Sequence, residues 1–290
     1  MRRATDLAAR RHLRGVTLIE MIVAIVVTGI LLSVVSLFTR NQIMAYFDVA
    51  ARTELADAAD TALRRSARDL QAALPNSVRL SGNFLEFVPI KDAGRYRAQS
   101  GGGAGDDWLD FNDPADHSFD VFGPPVNVAL GDQLVIYNLG IPGSDVYTTT
   151  LANSSRRAIA PPTGTVSNLS YTVGGAQFPL ASPQNRFQIV GGPVSFECAP
   201  NAASPDLGTI RRHWCYAYTD PQPTSFGALA TYPGCPAVQS AVLVAGVSAC
   251  AFAYAPGALQ RNGLVSMSIT LTRNHESVIL LHQVDVMNTP

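Results

Sequence analysis

The chain has 290 residues, of which 47% are hydrophobic and 15% charged, with a formal net charge of −1. That length allows one large domain or two modest ones. The near-neutral balance leaves no electrostatic footprint for nucleic acid or for an acidic substrate.

The charge is unevenly spread. Residues 1–15 carry Arg2, Arg3, Arg10, Arg11 and Arg14 against Asp6, a formal +4, which leaves −5 for residues 16–290. An apolar run follows the basic head and holds no charged residue from Met21 to Thr39. As a helix, 16–38 is about 35 Å long and crosses a hydrocarbon core of about 30 Å. By the positive-inside rule the head of the run stays cytoplasmic, and the rest of the chain lies on the other side of the membrane. A single pass is predicted, because no second stretch of that length follows.

One residue breaks the run. Glu20 is a carboxylate within the apolar segment, where a charge at the bilayer centre costs about 2.5–3.5 kcal/mol. A secretory signal does not account for it. The apolar core is too long for one, and "SLFTRN" at 36–41 offers no small-x-small cleavage site. The twin-arginine reading of "RRHLR" at 10–14 needs the same missing site. Cleavage after Gly15 accounts for both residues. A glycine lets an extended chain enter a protease, and the cut leaves a new amine at Val16 one helical turn from Glu20.

Gly15 followed by "VTLIE" resembles the class III leader of type IV pilins and pseudopilins. The resemblance implies cleavage between Gly15 and Val16 by a membrane prepilin peptidase, and N-methylation of Val16. Val16 departs from the phenylalanine most frequent in that family. The resemblance also gives Glu20 a filament-assembly role: the Val16 amine of one subunit neutralises Glu20 of its neighbour and sets the axial register. The plain alternative, a Glu20 that snorkels to the interface, leaves Gly15 unexplained.

The helical pattern continues in water. Met44, Phe47, Ala51, Leu55, Ala58, Ala62, Leu63, Leu70 and Leu74 recur at spacings of mostly three and four, with Arg, Asp and Glu between them. Asp60–Arg64 is a favourable i,i+4 pair, and Pro75 stops the helix. "RRSARD" at 64–69 reads as a solvated face with internal ion pairs rather than a basic binding patch.

Residues 75–290 are strand-rich. The segments 83–90, 132–140, 186–198, 208–218, 240–254, 263–273 and 277–288 are β-branched, aromatic and in part alternating. Gly, Pro, Asn and Ser clusters separate them. The predicted class is α+β: a long N-terminal helix packed on an antiparallel β head. The predicted organisation is a cytoplasmic leader 1–15, a transmembrane half 16–38, an amphipathic half 39–74 and a periplasmic head 75–290.

The head reads as non-enzymatic. Gly101–Gly105 lacks the Gly-Lys-Ser/Thr ending of a phosphate loop. The acidic loop 97–118 carries Asp106, Asp107, Asp110, Asp113 and Asp116 at a spacing that fits no EF-hand, so it reads as solvated rather than calcium-binding. His213 and Cys215 share a strand face, which is less than a Cys–His nucleophile needs, so they read as an exposed histidine beside a structural cysteine. No Ser-His-Asp signature appears. No cofactor and no metal are expected.

All four cysteines, Cys198, Cys215, Cys235 and Cys250, lie in the head, and an even count in an exported domain predicts two bridges. Three pairings are possible. If 194–198 and 209–216 form a hairpin, Cys198 lies opposite roughly Thr209, and Cys215 is about 20 Å further along, beyond the roughly 7 Å a bridge tolerates. Cys215 ends a strand and Cys235 sits in the following Pro-rich loop, which a bridge would pin back, so the favoured pairing is Cys215–Cys235 with Cys198–Cys250.

The later motifs carry the resemblance into the head. "TALRRSARDLQAALPNSVRL", "LEFVPIKDAGRYRA", "GDQLVIYNLG", "NRFQIVGGPVSFEC" and "VSACAFAY" look like the J-class minor pseudopilins and, more closely, the O-type minor pilins of MSHA biogenesis. This implies a minor subunit that acts in filament initiation or at the tip. Its partners are other pilins or pseudopilins, the prepilin peptidase and an inner-membrane assembly platform, with no nucleic acid. Its location is the bacterial inner membrane, then the filament. The alternatives are a type II secretion pseudopilin and a tip adhesin, whose ligand would meet the head through the 97–118 loop.

Overall fold

A computed structural model describes residues 15–257, 262–274 and 276–289. One helix, Leu18–Gln71, opens the fold. The chain divides into two units, Met1–Ala51 and Arg52–Pro290, with the boundary inside that helix.

Among the described residues of the first unit the large apolar side chains are exposed. Val16, Leu18, Ile30, Phe38 and Phe47 are all more than half exposed. In the second unit the helix buries one stripe: Leu55, Ala59, Ala62, Leu63, Ala67 and Leu70. Ala59 is buried and Ala58 is exposed, so the stripe runs one residue off the sequence expectation there. Met44 and Phe47, also expected in the stripe, are exposed. Burial of Leu55, Leu63 and Leu70 contributes about 2 kcal/mol each. The exposed Asp60–Arg64 pair, at 2.6 Å, adds only a few tenths.

The helix ends at Gln71, earlier than the expected 74. The reason is competition for the backbone. Leu74 N–H donates to Val88 O at 2.7 Å and Ile90 N–H to Ala72 O at 2.9 Å, so residues 72–74 pair with 88–90 instead of closing another turn.

The sheets of the second unit are antiparallel. A five-stranded sheet runs in the order Arg79–Ser81, Phe84–Phe87, Val194–Ala199, Thr209–Trp214, Gln239–Ala245. A three-stranded sheet holds Val247–Ala255, Gly263–Arg273 and Glu276–Val286. The helical stripe packs against both, meeting Phe87, Phe196 and Ile210 on the first and Val265, Met267 and Ile269 on the second. A four-stranded sheet, Ile90–Arg95, Arg186–Val190, Gln133–Val135, Arg156–Ala158, builds a separate core around Phe119, Phe187 and Tyr171. Two ribbons, Ser118–Asp120 with Asn168–Ser170 and Val126–Val128 with Gly164–Val166, flank that core. The α+β class and the packing of helix on antiparallel sheet are those expected.

Two expected strands are each two strands. The 240–254 segment breaks at Gly246, whose φ of +85° suits glycine and passes the chain from one sheet to the other. The 186–198 segment breaks at Gly191–Gly192–Pro193. A Cβ on Gly192 would lie 2.9 Å from the Tyr216 carbonyl oxygen, and Pro193 has no N–H to pair. The 132–140 segment is strand only over Gln133–Val135, since Tyr137 takes a φ of +52°.

Beyond that short strand lies a polar tie. The fully buried Asn138 donates from Nδ2 to Pro75 O at 2.8 Å. Its Oδ1 accepts from Val146 N–H at 2.8 Å and from the Ser155 hydroxyl at 3.0 Å. Arg157 is a second buried group. It holds the 151–178 loops by donating to the carbonyls of Ser154 at 2.8 Å, Leu151 at 3.0 Å and Gln177 at 2.6 Å. Burial lowers its pKa to about 10, so it is still charged at neutral pH.

Glu86 is the third, completely buried on the five-stranded sheet. Arg79 Nε donates to it at 2.5 Å, and the same guanidinium lies 3.5 Å over the Tyr147 ring. Burial pushes the Glu86 carboxyl up from 4.5, with Arg79 opposing.

Two outcomes follow from these buried groups. Asn138→Ala leaves a donor, an acceptor and a hydroxyl unpaired, and destabilises the fold by about 2 kcal/mol; denaturant unfolding of the full chain in detergent, followed by tryptophan fluorescence, measures it. Glu86 has a raised folded-state pKa, so its contribution is complete below 4.5 and is lost as pH rises through the folded value. Stability relative to Glu86→Gln therefore increases as pH falls from neutral toward 4.5, and a difference that stays flat or reverses refutes the assignment.

Candidate functional site

The site begins where the helix does. Gly15, Val16 and Thr17 precede the first helical residue, Leu18, and all three are exposed. A Cβ on Gly15 would meet nothing within 4 Å. The basic residues Arg2, Arg3, Arg10, Arg11 and Arg14 of the expected leader lie outside the described residues.

Thr17 caps the helix, and Glu20 answers it. Glu20 N–H donates to Thr17 Oγ1 at 3.3 Å. In return Glu20 Oε2 accepts from Thr17 N–H and from the Thr17 hydroxyl, each at 3.4 Å. This is a capping box, Thr-x-x-Glu, which satisfies two orphan donors of the first turn reciprocally. The carboxylate also sits at the positive end of the helix dipole. The sequence reading gave Glu20 only a partner in another subunit. It missed Thr17, although the Thr-Leu-Ile-Glu spacing carries the signal.

Behind the cap the helix is apolar and open. Among the described residues it is the one helix long and apolar enough to cross a membrane, and none of its apolar window is buried. Three of its hydroxyls find partners on its own backbone: Thr28 donates to Ala24 O at 2.7 Å, Ser33 to Ile30 O at 2.7 Å and Thr39 to Val35 O at 2.8 Å. A segment in hydrocarbon needs that, because no water is available to such groups.

The head residues singled out in the sequence have structural surroundings. Cys198 meets Cys250 in a disulfide with Cα atoms 6.0 Å apart, and Cys215 meets Cys235 at 5.8 Å. The hairpin is present one residue off the expected register: Cys198 lies opposite Ile210, and Thr209 opposite Ala199. Cys215 lies just past the strand end at Trp214, with a φ of +63°. His213 is buried, against the expected exposed histidine. Its Nε2 lies 2.8 Å from Glu197 Oε2, and its ring stacks on Phe84. That leaves it no open face from which to activate a nucleophile.

The acidic loop spends most of its carboxylates on itself. Asp106 accepts from Gly101 N–H at 2.8 Å, Asp116 from Asp110 N–H at 2.6 Å, and Asp113 from Ala115 N–H at 2.8 Å. Asp107 accepts from the Asn168 amide at 2.9 Å. Among the described residues no group of three or more His, Cys, Asp or Glu side chains converges as a metal site.

Comparison with known proteins bears on the amino-terminal segment. No curated protein and no solved structure matches the chain. The Prokaryotic N-terminal methylation motif matches residues 10–36, which span Gly15, the Thr17–Glu20 capping box and most of the exposed apolar run. The motif supports a type IV pilin-like or pseudopilin protein, anchored in a membrane by this helix, and implies processing by a prepilin peptidase and assembly with other pilins.

Proposed function

We propose that the chain is a minor pilin of an MSHA-like type IV pilus, acting in filament initiation or at the tip. The observation that carries this reading is the methylation motif on a helix whose apolar half is uncovered. An uncovered helix of that length needs lipid, or neighbouring helices of the same kind, around it. Among the described residues the head has three cores and long loops, which suits a subunit placed once at a tip better than one packed repeatedly along a shaft. The resemblance of the helix end and the head strands to O-type minor pilins supports the MSHA assignment over the J-class pseudopilins.

In this reading the peptidase cuts between Gly15 and Val16, both exposed and ahead of the helix. The methylated amine of Val16 then lies next to the Thr17 N–H that Glu20 already bonds. While the subunit waits in the inner membrane, with its head in the periplasm, the capping box holds the carboxylate. In the filament the Val16 amine of a neighbour takes over, and the pair fixes the axial register. The role is structural: the chain positions other subunits and catalyses no reaction.

Two experiments test it. Mass spectrometry of the protein from its own membrane is expected to find Val16 as a methylated amino terminus. A mature chain that starts at Met1, or beyond residue 38, removes the pilin reading. Glu20→Ala is expected to be cleaved and inserted at near-normal levels, because the apolar run alone spans the bilayer. Its recovery in sheared filaments, in a strain lacking the native copy, is expected to fall at least about tenfold, a coupling of about 1.4 kcal/mol. Undiminished recovery contradicts the proposed role of Glu20.

A further inference from the structure

On the four-stranded sheet, Arg95 and Arg186 are directly opposite each other on neighbouring strands. Both side chains are exposed on the same face. Among the described residues neither forms an ion pair with a carboxylate, unlike Arg97, which has Asp120 at 3.3 Å and Asp106 at 3.6 Å. Like charges directly opposite each other destabilise a sheet. The pair therefore stands as an uncompensated cost of the unliganded head.

Arg95 also lines a cleft, and Arg186 stands beside it, opposite Arg95 in the strand register. It has a volume of about 440 Å³ and is lined by Arg95, Arg97, Gln99, Phe122, Gln184 and Asn185, among others. Phe122 is 65% exposed, with its backbone N–H held by Arg95 O at 2.7 Å. The backbone carbonyl of Asn185 is held by Tyr96 N–H at 2.9 Å. Its carboxamide, and those of Gln99 and Gln184, have no partner among the described residues. The cleft thus combines the unpaired guanidinium of Arg95, three unspent amides and a bare aromatic ring on a fixed backbone.

That set matches one ligand chemistry. A guanidinium takes a carboxylate through two parallel N–H donors. Amides supply both donors and acceptors to ring hydroxyls. An exposed aromatic face takes the C–H face of a pyranose, apolar against apolar. We propose that this cleft binds an acidic saccharide, with its carboxylate on Arg95 at the edge next to Arg186, its hydroxyls on the amides and its sugar ring on Phe122. A polyanion such as nucleic acid is disfavoured. Residues 16–290 carry −5 overall, so the long-range field repels it, whereas a single carboxylate feels the arginine pair at short range. The site goes beyond the assembly role and does not depend on it, since binding is read on the isolated subunit.

The test uses the full chain in detergent micelles, titrated by calorimetry with galacturonic acid and with sialyllactose. Saturable binding of at least one is expected. It is expected to weaken at least tenfold in Arg95→Ala/Arg186→Ala and in Phe122→Ala, and to vanish for the methyl ester of the same sugar. Both variants sit on the surface, and their unfolding midpoints report that the fold is intact. Failure of both sugars to bind overturns the proposal. So does equal binding of the ester, or sulfate competition combined with no effect of Phe122→Ala, which would mark a general anion site. Tighter binding of single-stranded DNA than of either sugar also overturns it.

Discussion

Two sheets of the head are built on one contact surface: the stripe of Leu55, Ala59, Ala62, Leu63, Ala67 and Leu70 on the helix. Three alanines alternate with three leucines there. The alanines let strands approach closely, and the leucines fill the space between. Two sheets need that surface at once. The five-stranded sheet sends Phe87 and Phe196 to it, and the three-stranded sheet sends Val265, Met267 and Ile269. Neither sheet covers its own apolar face, so the helix is the shared floor of both. Replacement of an alanine by a larger residue would lift both sheets, not one.

The same helix works in a second setting nearer its start. A carboxylate in an apolar run is costly only when bare. Thr17 gives the Glu20 carboxylate two hydrogen bonds, and accepts a third from the Glu20 backbone, before any other molecule is involved. This makes the cap a holding position that the proposed filament contact must compete with. The competition is between modest terms. Bonds of 3.3–3.4 Å are long for charge-assisted contacts, and a charged amine from a neighbour is the stronger partner.

Much of this could be read in the residues, where a repeating physical rule applied. The apolar run, the break at Glu20 and the stripe around Leu55, Leu63 and Leu70 follow from the 3.6-residue period and the cost of charge in lipid. What escaped was set by contacts distant in sequence. The helix stops at Gln71 because strand residues 88–90 claim the backbone of 72–74, which no local signal announces. The breaks at Gly246 and at Gly191–Gly192 are marked by glycines, but glycines such as Gly94 and Gly263 lie within unbroken strands. His213 reads as exposed because alternation does not reveal that Phe84 and Glu197 cover it. At the site, the Thr17–Glu20 spacing was legible but was overshadowed by the charge itself. The arginine pair at 95 and 186 could not be seen, since the strands that align them are 91 positions apart in sequence and meet only through the sheet register.

The two disulfides are nested. The Cys215–Cys235 bridge lies inside the loop closed by Cys198–Cys250, and that outer bridge joins the five-stranded sheet to the three-stranded one across 52 residues of separation. A subunit in a fibre carries load along its chain. Under tension, an unbridged loop of this length could pay out about 180 Å of extended polypeptide. With the outer bridge in place that slack is withheld, and force entering one sheet passes by a covalent link to the other. The bridges therefore set an upper limit on how far the head can be drawn out before the chain itself must break.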